Sequence, residues 1–278
     1  MSSRRARAVL APLILFVFRG QAQPSETPLK ILINPGPVFS HWLPVLKICR
    51  ELEARGHHTK YLYPGDLDEV ADKFHLPSAD RIPHSYIVEA GHLSKGVAEL
   101  KAQGREQEVA KVMLPYFFDY ARAAIEDNSS MAAIRDWAPD VLFYDAGFPA
   151  GAPVGTLLDI PLVGFHVLGT YGSFYLRQAG SPSAISLTPT FPVPVWVKDP
   201  LTIIDRAKCL FSGVIGMLIA QAINKAFTPM WTRNGMPHLT HREGMGKTAA
   251  WIFQGDFAML PAIPMSPHVH LPLQRSTC

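Results

Sequence analysis

Cysteine is scarce, with Cys49, Cys209 and Cys278 the only three in 278 residues. They are too few and too scattered to build the disulfide framework that holds small secreted domains together. Long uninterrupted apolar runs are missing too. The most hydrophobic stretch, Leu210 to Phe227, is broken by Gln221, Asn224 and Lys225, which leaves it short of the ~20 apolar residues a membrane-spanning helix needs. It reads as a buried or membrane-surface helix. The first turn has no G-x-G-x-x-G, since Pro35 and Pro37 flank a single Gly36, and this argues against a nicotinamide or flavin dehydrogenase. No G-x-S-x-G occurs, so the usual signal of an α/β-hydrolase is absent. Histidines do pair up, as His57 with His58, His238 with His241 and His268 with His270. No neighbouring cysteine or carboxylate set completes a ligand shell, and no metal is expected.

Acidic residues are absent from the first 22 positions, which carry Arg4, Arg5, Arg7 and Arg19. These four account for more than the whole net charge of +3, leaving the rest of the chain at −1. The basic balance is therefore local. No concentrated Lys/Arg face remains for phosphates, and nucleic acid is not an expected partner. Arginines before the short apolar run of residues 9–18, with Gly20 and Ala22 at small-residue cleavage positions, read as a secretory signal peptide over residues 1–22. Asn128-Ser129-Ser130 is an N-glycosylation sequon in a polar stretch, usable where it is exposed in a secreted chain.

What the chain does have is alternation. Ile31, Leu32 and Ile33 form a buried-strand run stopped by Asn34, Pro35, Gly36 and Pro37. Ser40 can cap the helix that follows, Pro44 is tolerable in its first turn, and Gly56 closes it. Further strands are expected at residues 59–63, 85–89, 140–145, 162–167 and 251–254, and helices at 94–103, 106–126 and 147–158, with Pro115 interrupting the second of these. A Ser/Thr/Pro-rich loop is expected over 180–200, and a Pro-rich extended tail closes the chain. The rhythm from Lys30 to Val167 predicts an α/β fold, a Rossmann-like doubly wound parallel sheet with helices on both faces. A 48% hydrophobic composition supports a sizeable core.

In such a sheet, ligands bind beyond the carboxyl ends of the strands at the topological switch point. His41 at the start of the first helix and Asp145 at the end of the fourth strand both belong there. A carboxylate beside an imidazole stabilises the charge the ring takes on when it accepts a proton. Asp140, at the other end of the same strand, is the competing carboxylate. A helix-start histidine bonded only to nearby backbone, and an Asp145 that merely caps the next helix, are the plain structural alternatives. Phe39, Ser40, Trp42, Phe117, Phe148 and Phe165, with Phe174 and Tyr175, could line an apolar acceptor pocket, although such residues more often form core.

The run SHWLPVLKICRELEARGHHTKYLYP, with the strand before it, resembles the opening of UDP-glycosyltransferases, especially the UDP-glucuronosyltransferase-like branch. The resemblance implies a GT-B fold, of which residues 28–262 would be the N-terminal, acceptor-binding half and 263–278 the truncated start of the connector to the second half. It implies that His41 is the base that deprotonates the hydroxyl of a small lipophilic acceptor and that Asp145 orients it. The hydroxyl then attacks the anomeric carbon of a UDP-sugar with inversion. The UDP-sugar is a co-substrate, and no cofactor is implied.

The signature of the donor-binding half, a Thr-His-x-Gly stretch and a later Asp-Gln pair, does not occur, nor do the family's membrane anchor and basic tail. The expectation is thus the acceptor half of a glycosyltransferase, inactive as a chain by itself. The alternative is a non-catalytic lumenal binding or regulatory module that associates with a full-length relative or with itself. The expected compartment is the secretory pathway, in the endoplasmic reticulum lumen or secreted.

Overall fold

The computed structural model describes residues 27–37, 39–85, 92–105, 108, 119–146, 150–166, 203–239, 243–244, 247–253 and 269–270. The chain falls into two compact units, divided between Val163 and Gly164. The expected signal peptide, the strand at 85–89 beyond Ser85 and most of the tail lie outside the described residues.

In the first unit β1 (Lys30–Asn34) leads into α1 (Phe39–Ala54), β2 (His58–Pro64), α2 (Asp68–Lys73) and β3 (Arg81–His84). α3 (His92–Ala102), a helical segment at residues 119–126 and α4 (Asn128–Trp137) follow, then β4 (Val141–Asp145), α5 (Gly151–Leu157) and the start of β5 (Leu162–His166), a strand that the division between the units crosses. The strand order is β3-β2-β1-β4-β5, and β1 pairs in parallel with both β2 and β4. After β1 the chain first builds outward through β2 and β3, then returns to build the other side from β4. The switch point therefore lies between β1 and β4. The Rossmann-like parallel sheet expected from the alternation is present.

Ile31, Leu32, Ile33, Val141, Leu142 and Tyr144 are fully buried, as central strands covered on both faces require. α1 ends in a Schellman motif: Gly56 takes φ +89°, its N–H reaches Glu53 O at 2.9 Å, and His57 N–H reaches Leu52 O at 3.1 Å. α5 lies close against β4 and β5. A Cβ on Gly151 would stand 2.3 Å from Tyr144 Cβ, which leaves no room for a side chain, and one on Gly155 would stand 2.2 Å from Leu162 Cδ2 and would have to displace the Leu162 side chain.

Three expectations shift. α1 starts at Phe39, which puts Ser40 inside the helix and makes Pro44 its sixth residue. A positive φ of +76° at Gly36 turns the chain early enough for the helix to begin before Ser40. The third strand is Arg81–His84, containing Pro83. It is the last strand on its side of the sheet, where a residue without an N–H is tolerated. Asp140 precedes β4, with its Oδ2 accepting the Lys30 N–H at 2.8 Å.

The second unit contains α6 (Ile203–Arg233), longer than the helix expected at Leu210 to Phe227, together with β6 (Thr248–Phe253) and β7 (Val269–His270), which pair in parallel. Phe227, Met230 and Trp231 of α6 are buried, while Ile204, Phe211 and Leu218 are exposed. Among the described residues no helix is long and apolar enough to cross a membrane.

Candidate functional site

Two elements meet at the switch point of the first unit. β1 runs out at Asn34, the Pro35-Gly36-Pro37 turn reverses the chain, and His41 falls third in α1, within the turn whose backbone N–H groups have no intrahelical partner. β4 ends on Asp145. The register Asn34↔Tyr144 sets the carboxyl end of β4 beside the end of β1, and from there Asp145 reaches the first turn of α1. The Asp145 carboxylate and His41 Nδ1 are hydrogen-bonded. The carboxylate is wholly buried and the imidazole is 11% exposed. A carboxylate only accepts, so Nδ1 carries the proton, and in the neutral ring the lone pair is then on Nε2.

Of the two aspartates flanking β4, the structure brings Asp145 to His41 and fastens Asp140 to the start of β1. Asp145 does not cap the next helix, whose N-cap is Ala150. An imidazole backed by a buried carboxylate can take a proton from a bound hydroxyl and hold it as an ion pair.

Trp42, offered by the sequence as pocket lining, is fully buried. Its indole N–H donates to Gly36 O at 3.0 Å. Its ring meets Tyr63 edge-on, with centroids 5.3 Å apart, and stacks on Phe74 at 6.1 Å. Phe165 is buried in β5. Phe39 and Ser40 form the first turn of α1, but their side chains lie outside the described residues, as do Phe117, Phe148, Phe174 and Tyr175 altogether. Asn128 is exposed as the first residue of α4, while the sequon hydroxyl of Ser130 donates to Pro83 O at 2.8 Å. Among the described residues no group of three or more His, Cys, Asp or Glu side chains could hold a metal ion.

The same end of the sheet holds polar residues that the sequence reading did not single out. Asn34 Nδ2 donates to Leu62 O at 2.9 Å and to Tyr120 Oη at 2.8 Å. His84, the last residue of β3, lies against the Tyr120 ring with centroids 5.4 Å apart. Burial pushes the His84 imidazole down to about 4, against the opposing pull of the Asp127 carboxylate. Burial pushes the Asp127 carboxyl up. Hydrogen bonds from Ser129 Oγ and from the Ser130 and Ser85 N–H groups outweigh that and hold it well below the usual carboxylate range. The signal available in the sequence was a polar residue ending an apolar strand run, as Asn34 does after Ile33.

The model of the family described as UDP-glucoronosyl and UDP-glucosyl transferase matches residues 29–271. The chain belongs to this family. It is 26% identical over 241 residues to UDP-glucuronosyltransferase 2A3 of Mus musculus, covering 81% of this chain and 44% of that protein. It is 21% identical over 257 residues to UDP-glucuronosyltransferase 2B28 of Homo sapiens, covering 86% and 47%. This family member thus spans about half the length of the relatives it matches. Among solved structures it is similar to spinosyn forosaminyltransferase SpnP, with a TM-score of 0.50, 15% identity, and coverage of 88% of this chain and 50% of that one. That likeness supports the GT-B fold expected from the sequence.

Proposed function

We propose that this chain is the acceptor-binding half of a UDP-glycosyltransferase and that His41 is its general base. The observation that carries the reading is the buried hydrogen bond between His41 Nδ1 and Asp145 in a chain of this family. The acceptor is a small lipophilic molecule with a hydroxyl group. Nε2 of His41 takes the hydroxyl proton as the oxygen bonds to the anomeric carbon of the sugar. The C1–O bond to UDP breaks with inversion, and its electron pair leaves on the diphosphate. Asp145 keeps the ring in the tautomer that can accept and neutralises the imidazolium that forms.

A nucleotide-sugar-binding half, on the same or another polypeptide, supplies the donor, because holding both reactants in line is a large part of the rate. The compartment that fits this reading is the secretory pathway, with glycan addition at Asn128. Phe211 and Leu218 of α6 are the residues that would rest on a membrane surface.

The deciding experiment offers the chain a panel of phenols and lipophilic alcohols, with UDP-glucuronic acid and UDP-glucose, alone and assembled with the donor half of a relative. The expected result is acceptor binding by the chain alone, and transfer only in the assembled enzyme and only with His41 intact. Transfer that survives His41→Ala overturns the reading. A second reading is a binding or regulatory module without turnover. Acceptor binding with no transfer in any assembly would establish it.

A further inference from the structure

Two sequence features that commonly steady a helix start are missing from the first turns of α1, the stretch that carries His41. The first turn has no acidic residue to interact with the helix dipole. Pro44, at the sixth position, lacks the N–H that would bond to the Ser40 carbonyl. Orientation matters here. A rotation of α1 by about 20° about its axis moves a ring nitrogen held about 6 Å from that axis by about 2 Å, enough to break a hydrogen bond.

The side chain next to His41 supplies a hold from outside the helix. Trp42 is fully buried and is fastened at three places that are separate in sequence. Its N–H is bonded to Gly36 O in the preceding turn, its ring packs edge to face with Tyr63 of β2, and its face stacks on Phe74 just after α2. Tyr63 is itself tied down, its Oη donating to Asp68 Oδ1 at 2.6 Å. Successive residues on a helix project about 100° apart, so an indole locked against β2 dictates where the adjacent imidazole points.

We propose that Trp42 is the positioning residue for His41. Its N–H clamp on the Gly36 carbonyl sets the rotation of the first turn of α1, so that His41 Nδ1 meets Asp145. This rests on the reading of His41 as the base, and it assigns Trp42 a place behind the site rather than in the acceptor pocket. In an assembled enzyme, its loss would lower kcat and leave the acceptor KM unchanged.

The test reads the imidazole directly, without turnover. In the isotope-labelled chain, the His41 Nδ1 proton bonded to Asp145 should give a downfield, slowly exchanging resonance. Trp42→Phe keeps an aromatic ring between Tyr63 and Phe74 and removes the N–H donor together with part of the ring system. It should abolish or broaden that resonance while the circular dichroism of the fold is retained. Phe74→Leu weakens the stacking but leaves the clamp, and should lower Tm while keeping the resonance. A resonance that persists in Trp42→Phe, or that fades in both variants in step with Tm, overturns the proposal. Should Trp42→Phe fail to fold, the wild-type indole N–H decides. Protection from solvent exchange supports the clamp, and exchange as fast as that of an exposed tryptophan overturns it. Absence of the His41 resonance from the wild type would instead sink the His41–Asp145 reading, a separate outcome.

Discussion

The two ends of the sheet in the first unit use the same residue types in opposite ways. At the amino end, His57 Nδ1 accepts the Leu29 N–H at 3.2 Å, and exposed Asp140 accepts the Lys30 N–H. Lys30 Nζ adds a bond to Trp137 O at 3.0 Å. These contacts staple β1 to its neighbours. At the carboxyl end, buried Asp145 meets His41 Nδ1. A ring nitrogen that accepts a backbone N–H has no proton of its own, so His57 is a fastener that works only while neutral. Burial, then the charges of Arg55 and His58, push its protonation down accordingly. A ring nitrogen that donates to a carboxylate leaves the other nitrogen as a base. The partner of Nδ1 separates a staple from a base, and residue type alone does not.

The largest effect that would break this comparison is on catalysis. In the assembled enzyme His41→Ala should lower turnover about a hundred- to ten-thousand-fold and also lower Tm, because it takes the imidazole donor from the buried Asp145 carboxylate, whereas His57→Ala should lower Tm and spare turnover. Steady-state rates beside thermal melts check both, and equal turnover losses would erase the distinction. Next comes the support beneath the carboxyl end. Gly151→Ala places a methyl 2.3 Å from Tyr144 Cβ and 3.0 Å from Leu142 Cδ2, which should cost about 3 kcal/mol by urea unfolding.

Acid should act on this end as well. His84 in the folded chain takes a proton only near pH 4, while an unfolded histidine takes one near pH 6.5, so between these values the unfolded chain binds more protons. Stability should therefore fall as pH drops from 6.5 to 4, by up to about 3 kcal/mol from this group. Urea midpoints at pH 7 and pH 4.5 measure the fall, and His84→Phe should flatten it. The smallest effect sharpens the contrast between the two aspartates. Asp140→Ala should cost about 1 kcal/mol of stability, the net worth of one hydrogen bond, and leave turnover alone, whereas Asp145→Asn should cut turnover.

Much of the fold could be read from pattern because the driving force is local. The Ile31-Leu32-Ile33 run, the VLFYD strand and the Gly56 stop each carry their own cause, whether burial on both faces or a positive φ. β3 was displaced for a reason no local pattern reveals. Pro83 argues against a strand until the neighbours are known, and only its place at the side of the sheet makes it acceptable. Trp42 illustrates the same limit. Its apolar bulk and its neighbour His41 suggest a pocket wall, but Gly36, Tyr63 and Phe74 enclose it.

The sequence by itself determined the α/β alternation, the turn at Gly36, and the presence of a histidine at a helix start and an aspartate at a strand end, because each follows from residues adjacent in the chain. Only the tertiary structure decided which aspartate His41 meets, which of its nitrogens is engaged and what holds its helix in place. Those facts depend on β4 pairing beside β1 across more than a hundred residues of chain, and hydrogen bonds select their partners by distance and angle in space.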